Sequence, residues 1–310
     1  MNLSIVVPVY NEEENITELC SEVKEKLPKN LTYELIFVDD GSTDESWREI
    51  KKAKKNFNFV KGIRFRRNYG QTQAMAAGIS DALGEYIAAM DADMQNDPGD
   101  IKFMLEEIEK GYDLVSGWRK NRKDDYWLRI LPSAAANKLI SWVTGIKLHD
   151  YGCTLKIYRR EIIKEIELYG EMHRFLPALA GYKGASISEI EVNHRPRKAG
   201  KSKYGIFRTF KVAADLLTVK FMGDFMTKPG YFFSFVSLCL FSVSFLFALI
   251  TLYYKWYNGI FVKDQPLFLV AIFLAIVGVQ TGLMGLLAEM TMRVYISSSG
   301  KPSYRIKERA

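Results

Sequence analysis

The 310-residue sequence contains only three cysteines and three histidines. The cysteines, Cys20, Cys153 and Cys239, are odd in number and far apart, which argues against a disulfide framework and a cysteine-ligated metal site. We expect them to be free thiols in a reducing compartment. Because the histidines include no close pair, a histidine-based metal site is not expected either.

Charge is missing altogether from two long stretches near the C-terminus, residues 229–254 and 266–288. A helix rises about 1.5 Å per residue and the hydrocarbon core of a bilayer is about 30 Å thick, so each stretch is long enough to span it. Helices in the core of soluble proteins rarely continue this far without a charge. Two transmembrane helices, at about 229–254 and 266–290, are therefore favoured over two buried ones.

Lysine and arginine are concentrated outside the two spans. Basic residues lie before the first span and after the second, at Arg208, Lys211, Lys220, Lys228, Arg293, Lys301, Arg305, Lys307 and Arg309. The connecting loop, 255–265, has only Lys255 and Lys263, against Asp264. By the positive-inside rule, both ends of the hairpin are expected to be cytoplasmic. The net charge of +7 suits a protein lying on anionic lipid, and because the sequence shows no nucleic-acid recognition motif, no nucleic-acid partner is expected.

Short β-branched runs alternate with helical patterns in the N-terminal part of the chain. Strands are predicted at 3–9, 33–38, 59–65, 86–90 and 112–117, and helices at 12–27, 42–55, 71–83 and 100–110. The segment 42–45, Ser-Thr-Asp-Glu, has the form of a capping box that would begin the second helix. This alternation predicts an α/β domain with a mostly parallel sheet, in which ligands bind at the carboxyl ends of the strands.

Acidic residues follow three of these strands, within residues 8–13, 39–42 and 91–95. We expect the three clusters to converge on one edge of the sheet, where their repulsion calls for a cation or a ligand. Asp91 and Asp93 face the same way in extended backbone, and two carboxylates with water and substrate phosphates suit Mg²⁺ or Mn²⁺. The alternative is that the two aspartates only cap the turn that follows them.

The three motifs, Pro-Val-Tyr-Asn-Glu at 8–12, Val-Asp-Asp-Gly-Ser at 38–42 and Asp-Ala-Asp-Met-Gln at 91–95, resemble those of family 2 glycosyltransferases with the GT-A fold. Segments 66–70, 150–153 and 197–204 narrow the resemblance to the polyprenyl-phosphate glycosyltransferases. That group includes dolichyl-phosphate mannose or glucose synthases and bacterial undecaprenyl-phosphate enzymes.

The composition of the chain and the resemblance together imply a four-part organisation. A cytoplasmic GT-A type nucleotide-sugar-binding domain would occupy residues 1–203, an interfacial amphipathic helix region 204–228, two transmembrane helices 229–292 and a basic cytoplasmic tail 293–310. The protein would then lie in the inner membrane of a bacterium, with its catalytic domain in the cytoplasm.

The resemblance also implies roles for single residues. The nucleotide pocket would be lined by Pro8, Tyr10, Glu12, Asp39 and Asp40. A Mg²⁺ or Mn²⁺ ion would be held by Asp91, Asp93 and Gln95.

A second set of residues would act on the acceptor. The lipid phosphate would be bound by Arg119, Arg129, Ser133, Arg197 and Lys203. Asp150 would lie beside the reacting centre with Asp93 and Arg119, either orienting the acceptor or accepting a proton. The alternative for Asp150 is a loop carboxylate that forms a turn with the two residues after it.

Together these features predict metal-dependent, inverting transfer of one hexose from a nucleotide sugar to undecaprenyl or dolichyl phosphate. UDP-glucose is the first expectation for the donor, with GDP-mannose and UDP-linked amino sugars as alternatives. Two spans are few for a polymer-conducting channel, which favours a single transfer. Another membrane lipid as acceptor and a non-catalytic lipid-carrier binding protein remain alternatives. The Gly278-x-x-x-Gly282 step would pack the spans together or mediate a homo-oligomer.

Overall fold

The computed structural model describes residues 2–120, 131–168, 170, 172–196, 207–225 and 228–299. The chain forms two compact units, Met1–Lys220 and Phe221–Ala310.

The first unit is built around a mixed seven-stranded sheet. Its strands are β1 (Leu3–Val9), β2 (Tyr33–Asp39), β3 (Val60–Arg64), β4 (Tyr86–Ala89), β5 (Leu114–Trp118), β6 (Lys156–Arg159) and β7 (Ile187–Glu191). The strand order is β3-β2-β1-β4-β6-β5-β7. β1 to β4 are mutually parallel, whereas β6 runs antiparallel to both β4 and β5. The carboxyl ends of β1, β2 and β4 therefore meet at one edge.

Eight helices of the described residues belong wholly or partly to this unit. They are α1 (Ile16–Lys26), α2 (Ser46–Asn56), α3 (Gln71–Asp81), α4 (Asp100–Ile108), α5 (Leu131–Thr144), α6 (Arg160–Ile163), α7 (Leu176–Tyr182) and α8 (Phe207–Phe225). The core lies between the sheet and α1, α2 and α4 on one face. On the other face, α3 approaches closely because Gly78 has no side chain, since a Cβ there would lie 2.3 Å from Val6 Cγ1.

The five predicted strands and four predicted helices are all present, with shifted ends. The predicted capping box is wrong: α2 begins at Ser46, and the N-cap residue before it, Glu45, makes no capping side-chain hydrogen bond. Instead, the Ser42 hydroxyl accepts the Asn11 N–H at 3.0 Å, and the Ser46 hydroxyl accepts the Glu12 N–H at 2.9 Å. The loop after β1 lies next to the start of α2, and both serines therefore stabilise that loop by accepting its backbone N–H groups.

The second unit contains two long helices, α9 (Pro229–Asn258) and α10 (Pro266–Ser299), each long and apolar enough to cross a membrane. Most of their large apolar side chains are exposed. Ser237 Oγ donates to the Gly278 carbonyl and Ser244 Oγ to the Ala271 carbonyl, both at 2.7 Å. A Cβ at Gly282 would lie 3.3 Å from Ser237 Oγ. The small residues therefore pack the two helices against each other.

The predicted interfacial region, 204–228, corresponds to α8, although residues 204–206 and 226–227 lie outside the described part of the chain. Its side chains show two kinds of environment, since Leu216 and Val219 are buried and Leu217 is exposed. A location in the membrane interface stays a prediction.

Candidate active site

The loop after β1 is bound to the loop after β2. Asn11 has a positive φ of 54°, a conformation that asparagine tolerates better than most residues. Its side-chain oxygen accepts the Thr43 N–H at 2.8 Å. This arrangement places Pro8, Tyr10 and Glu12, all partly buried, at the carboxyl end of β1.

Asp39 and Asp40, at the end of β2, are buried, and their carboxylates accept hydrogen bonds from nearby groups of the protein. Asp39 accepts the Ser42 N–H at 2.9 Å and forms an ion pair with Arg64, with 3.1 Å between Oδ2 and Nε. Asp40 accepts the N–H groups of Tyr69 at 2.7 Å and Gly70 at 2.9 Å. Burial raises the pKa of the Asp40 carboxyl above its usual value. The two carboxylates thus fix the shape of the predicted nucleotide pocket.

The loop after β4 carries Asp91 and Asp93. Asp91 accepts a hydrogen bond at each oxygen, from the Gln71 amide at 2.8 Å and from the Thr154 hydroxyl at 2.5 Å. Asp93 is buried and accepts the Gln95 N–H at 3.2 Å. Burial and the neighbouring Asp93 charge raise the pKa of Asp91 to about 6. A cation bound between the two carboxylates would relieve the repulsion between them.

The donor set fits Mg²⁺ or Mn²⁺. Among the described residues, no three His, Cys, Asp or Glu side chains form a complete ligand cage. Two carboxylates on one loop match the way Mg²⁺ is usually held, by one or two carboxylates plus waters and substrate phosphates. Gln95 lies on the same loop, where its amide nitrogen donates to the Arg195 carbonyl at 3.3 Å.

Asp150 forms a two-point ion pair with Arg119. Arg119 Nε lies 2.7 Å from Asp150 Oδ2, and Nη2 lies 3.0 Å from Oδ1. Both side chains are largely shielded from solvent, with exposures of 13% and 5%. Asp150 also accepts the Gly152 N–H at 3.1 Å, while its own N–H donates to Glu189 at 3.0 Å. These contacts hold Asp150 and Arg119 in fixed positions relative to each other.

Lys156, in β6, is a buried cation that the sequence analysis did not identify. Its ammonium donates to the carbonyls of Tyr151 and Cys153, which fixes the loop after Asp150. Burial lowers the Lys156 pKa. The charges of Arg119 and Lys156 both lower the pKa of Asp91, so the acidic and basic groups belong to one electrostatic site. A single lysine within the apolar run Leu-Lys-Ile-Tyr at 155–158 was the available signal.

The remaining predicted acceptor residues are only partly described. Ser133 is partly buried near the start of α5, whereas Arg129, Arg197 and Lys203 lie outside the described residues. Arg195 does belong to the described part: it forms ion pairs with Glu22 at 2.8 Å and with Asp97. These ion pairs hold Arg195, which precedes the predicted phosphate-binding residue Arg197 in sequence, beside the loop after β4.

Comparison with known proteins agrees with this geometry. The family described as "Glycosyl transferase family 2" matches residues 4–167. The chain is 44% identical to dodecaprenyl-phosphate galacturonate synthase of Rhizobium johnstonii, over 99% of this chain and 93% of that protein. It is 36% identical to undecaprenyl-phosphate 4-deoxy-4-formamido-L-arabinose transferase of Proteus mirabilis, with the same two coverages. The predicted resemblance to polyprenyl-phosphate glycosyltransferases is confirmed.

Solved structures support the fold. Glucosyl-3-phosphoglycerate synthase of Mycobacterium tuberculosis, in complex with Mn²⁺ and UDP-glucose, superimposes with a TM-score of 0.54 at 14% identity. The match covers 72% of this chain and 78% of that one. The predicted GT-A type fold is therefore confirmed. By the extent of the family match and by its full-length relatives, this chain belongs to glycosyl transferase family 2 and is a glycosyltransferase.

Proposed function

We propose that this chain transfers a single sugar from a nucleotide-sugar donor to the phosphate of a membrane polyprenyl phosphate. The observation that carries the proposal is that a pair of carboxylates and a cationic side chain lie together at one edge of the sheet. A carboxylate pair, Asp91 and Asp93, suits a metal-bound diphosphate, and the oriented cation Arg119 beside it suits a second phosphate. A donor diphosphate and an acceptor phosphate are what this transfer brings together.

On the donor side, Pro8, Tyr10 and Glu12 would line the nucleotide pocket, whose floor Asp39 and Asp40 fix. Asp91 and Asp93, with Gln95, would hold Mg²⁺ or Mn²⁺. The chemistry that such an ion supplies is neutralisation of the charge that develops on the leaving diphosphate.

On the acceptor side, Arg119 would bind a phosphate oxygen, helped by Arg129, Ser133, Arg197 and Lys203. Asp150 engages Nε and Nη2 of Arg119, which leaves Nη1 for the acceptor. A phosphate monoester is already anionic near neutral pH and needs little help from a base. This supports orientation, rather than proton acceptance, as the role of Asp150. Attack on the face opposite the diphosphate would invert the sugar configuration.

The donor sugar is better sought among modified sugars than in UDP-glucose. The two relatives are named for galacturonate and for 4-deoxy-4-formamido-L-arabinose, and neither name contains glucose or mannose. We therefore place nucleotide-linked uronic acids first and formamido or amino sugars second. UDP-glucose and GDP-mannose follow them.

The two long helices would span a bacterial inner membrane, with the catalytic domain and both ends of the chain in the cytoplasm. The concentration of lysine and arginine outside the spans supports this orientation. A polyprenyl phosphate could then present its phosphate to the site while its tail remains in the bilayer.

The proposal can be tested with purified protein in detergent, undecaprenyl phosphate, Mn²⁺ and a panel of radiolabelled nucleotide sugars. The panel contains galacturonate, 4-amino- and 4-formamido-arabinose, glucose and mannose donors. We expect one donor to label the organic-extractable lipid, and Asp93→Ala to abolish the labelling. If nucleotide binds but no donor labels the lipid, the acceptor or the sugar class is wrong.

A further inference from the structure

Asp91 is held by two uncharged donors that come from different elements. Gln71 is the first residue of α3, and Thr154 lies two residues before β6. The Gln71 amide donates to Asp91 Oδ1 at 2.8 Å and the Thr154 hydroxyl to Oδ2 at 2.5 Å. Each oxygen of the carboxylate thus receives one hydrogen bond from the protein.

The antiparallel strand β6 explains why Thr154 reaches Asp91. In the β4–β6 register, Ala89 lies opposite Lys156. Asp91 lies two residues after the end of β4 and Thr154 two residues before the start of β6, so this antiparallel register brings the two residues close enough for their side-chain hydrogen bond. Lys156 fixes the same loop through the Cys153 carbonyl. A parallel strand here would bring a different set of side chains to the loop after β4.

Hydrogen bonds on both sides of Gln71 hold the start of α3 in place. The Gly70 N–H donates to Asp40 at 2.9 Å, and Gly70 has a φ of 97°, which favours glycine. On the other side of Gln71, the Thr72 hydroxyl lies 2.6 Å from His173 Nδ1 within a buried contact. A chain of contacts therefore runs from the loop after β2, through Gly70 and Gln71, to the loop after β4.

The neutrality of the two donors matters for a metal ligand. A lysine or arginine on Asp91 would offset its charge and compete with a cation, whereas an amide and a hydroxyl orient the carboxylate and leave its charge in place. Each carboxylate oxygen has a second lone pair available after accepting one hydrogen bond. The nearby cation Lys156 donates to backbone carbonyls.

We propose that Gln71 and Thr154 are positioning residues that hold Asp91 ready for the divalent cation and so set the metal affinity of the enzyme. This inference rests on the proposed function, since it takes Asp91 as a metal ligand. Groups that orient a metal-binding carboxylate commonly contribute 10–100-fold to metal affinity.

The test uses full-length protein in detergent and measures Mn²⁺ binding by electron paramagnetic resonance in the presence of UDP. Gln71→Met and Thr154→Val remove one donor each at similar side-chain size. Gln73→Met is the matched control, because Gln73 lies in the same helix but donates to the Leu168 carbonyl. Thr154→Ser restores the hydroxyl.

We expect the Mn²⁺ dissociation constant to rise about 10–100-fold in Gln71→Met and in Thr154→Val. Gln73→Met and Thr154→Ser should stay close to the unmodified chain. In sugar transfer, the two affected variants should need more Mn²⁺ for half-maximal rate and regain much of their turnover when Mn²⁺ is saturating. A structural role alone would lower the melting temperature of Gln71→Met and Thr154→Val without raising their Mn²⁺ dissociation constants.

Equal Mn²⁺ affinity in Gln71→Met, Thr154→Val and the two controls would overturn the inference, as would the absence of Mn²⁺ binding by the unmodified chain. Failure of the proposed function has a different signature. The unmodified chain would then bind Mn²⁺ and UDP, with affinities ordered as expected among the variants, and yet label no lipid from any donor.

Discussion

Replacing Asp150 with asparagine keeps the shape of the side chain but removes the charge that balances Arg119. Both partners are shielded, with exposures of 13% and 5%, and they share two hydrogen bonds. Breaking a buried ion pair by removing one partner costs about 3–5 kcal/mol. Asparagine can still accept one hydrogen bond, so we expect the lower end, about 3 kcal/mol. For a domain of this size that lowers the melting temperature by about 6–12 °C.

The assay is a double-mutant cycle of Asp150→Asn and Arg119→Gln, with thermal unfolding followed in detergent. The double variant should lose less stability than the sum of the single variants, because it leaves no unbalanced buried charge. A coupling energy of about 1–3 kcal/mol is expected. Losses that add to within about 0.5 kcal/mol would refute the inference that the two side chains act as a pair.

Turnover of Asp150→Asn separates the two roles that the sequence left open. If Asp150 orients Arg119, the rate should fall while the shape of the pH–rate profile stays unchanged. If it accepts a proton, the profile of the variant should lose a limb.

Three further changes test other parts of the structure. With metal chelated, Asp91→Asn should raise the melting temperature at pH 7.5, because the pKa of Asp91 is raised to about 6 and its ionised form therefore destabilises the folded chain. The unmodified chain regains this stability as the pH falls from about 6 towards 4, so the difference in melting temperature between the two chains should shrink over that range. Asp40→Asn should lower the free energy of unfolding by about 1–3 kcal/mol, because asparagine has one side-chain oxygen and one of the two N–H groups that donate to Asp40 loses its acceptor. The same change should weaken UDP binding measured by calorimetry. Gly285→Val should destabilise the helix pair, because a Cβ there would lie 2.7 Å from Phe233 Cβ, whereas Leu286→Val on the exposed face should leave thermal unfolding in detergent unchanged.

The parallel half of the fold followed from local patterns. Strands β1 to β4 were predicted as short runs that alternate with helical patterns, and a helical crossover is the usual connection between parallel strands, whose carboxyl ends lie together. That rule is enough to bring Asp39, Asp40, Asp91 and Asp93 to one edge of the sheet. The Gly278-x-x-x-Gly282 spacing predicted close helix packing but left open whether it joins the two spans or mediates an oligomer.

Strands β6 and β7, of which β6 runs antiparallel to its neighbours, were not predicted from the sequence. β6 has four residues and β7 five, and neither shows a clear alternation. The roles of Thr154 and Lys156 depend on the β4–β6 register, which no local pattern specifies. The capping box failed for a related reason, since Ser42 binds across to the loop after β1 and not within its own helix.

The most direct test of the account is the mass of the lipid product formed from undecaprenyl phosphate, the preferred nucleotide sugar and Mn²⁺. We expect one new species, heavier than the lipid phosphate by a single sugar residue, together with an equal amount of nucleoside diphosphate. Nucleoside diphosphate released with the lipid mass unchanged, or a product carrying several sugars, would contradict it.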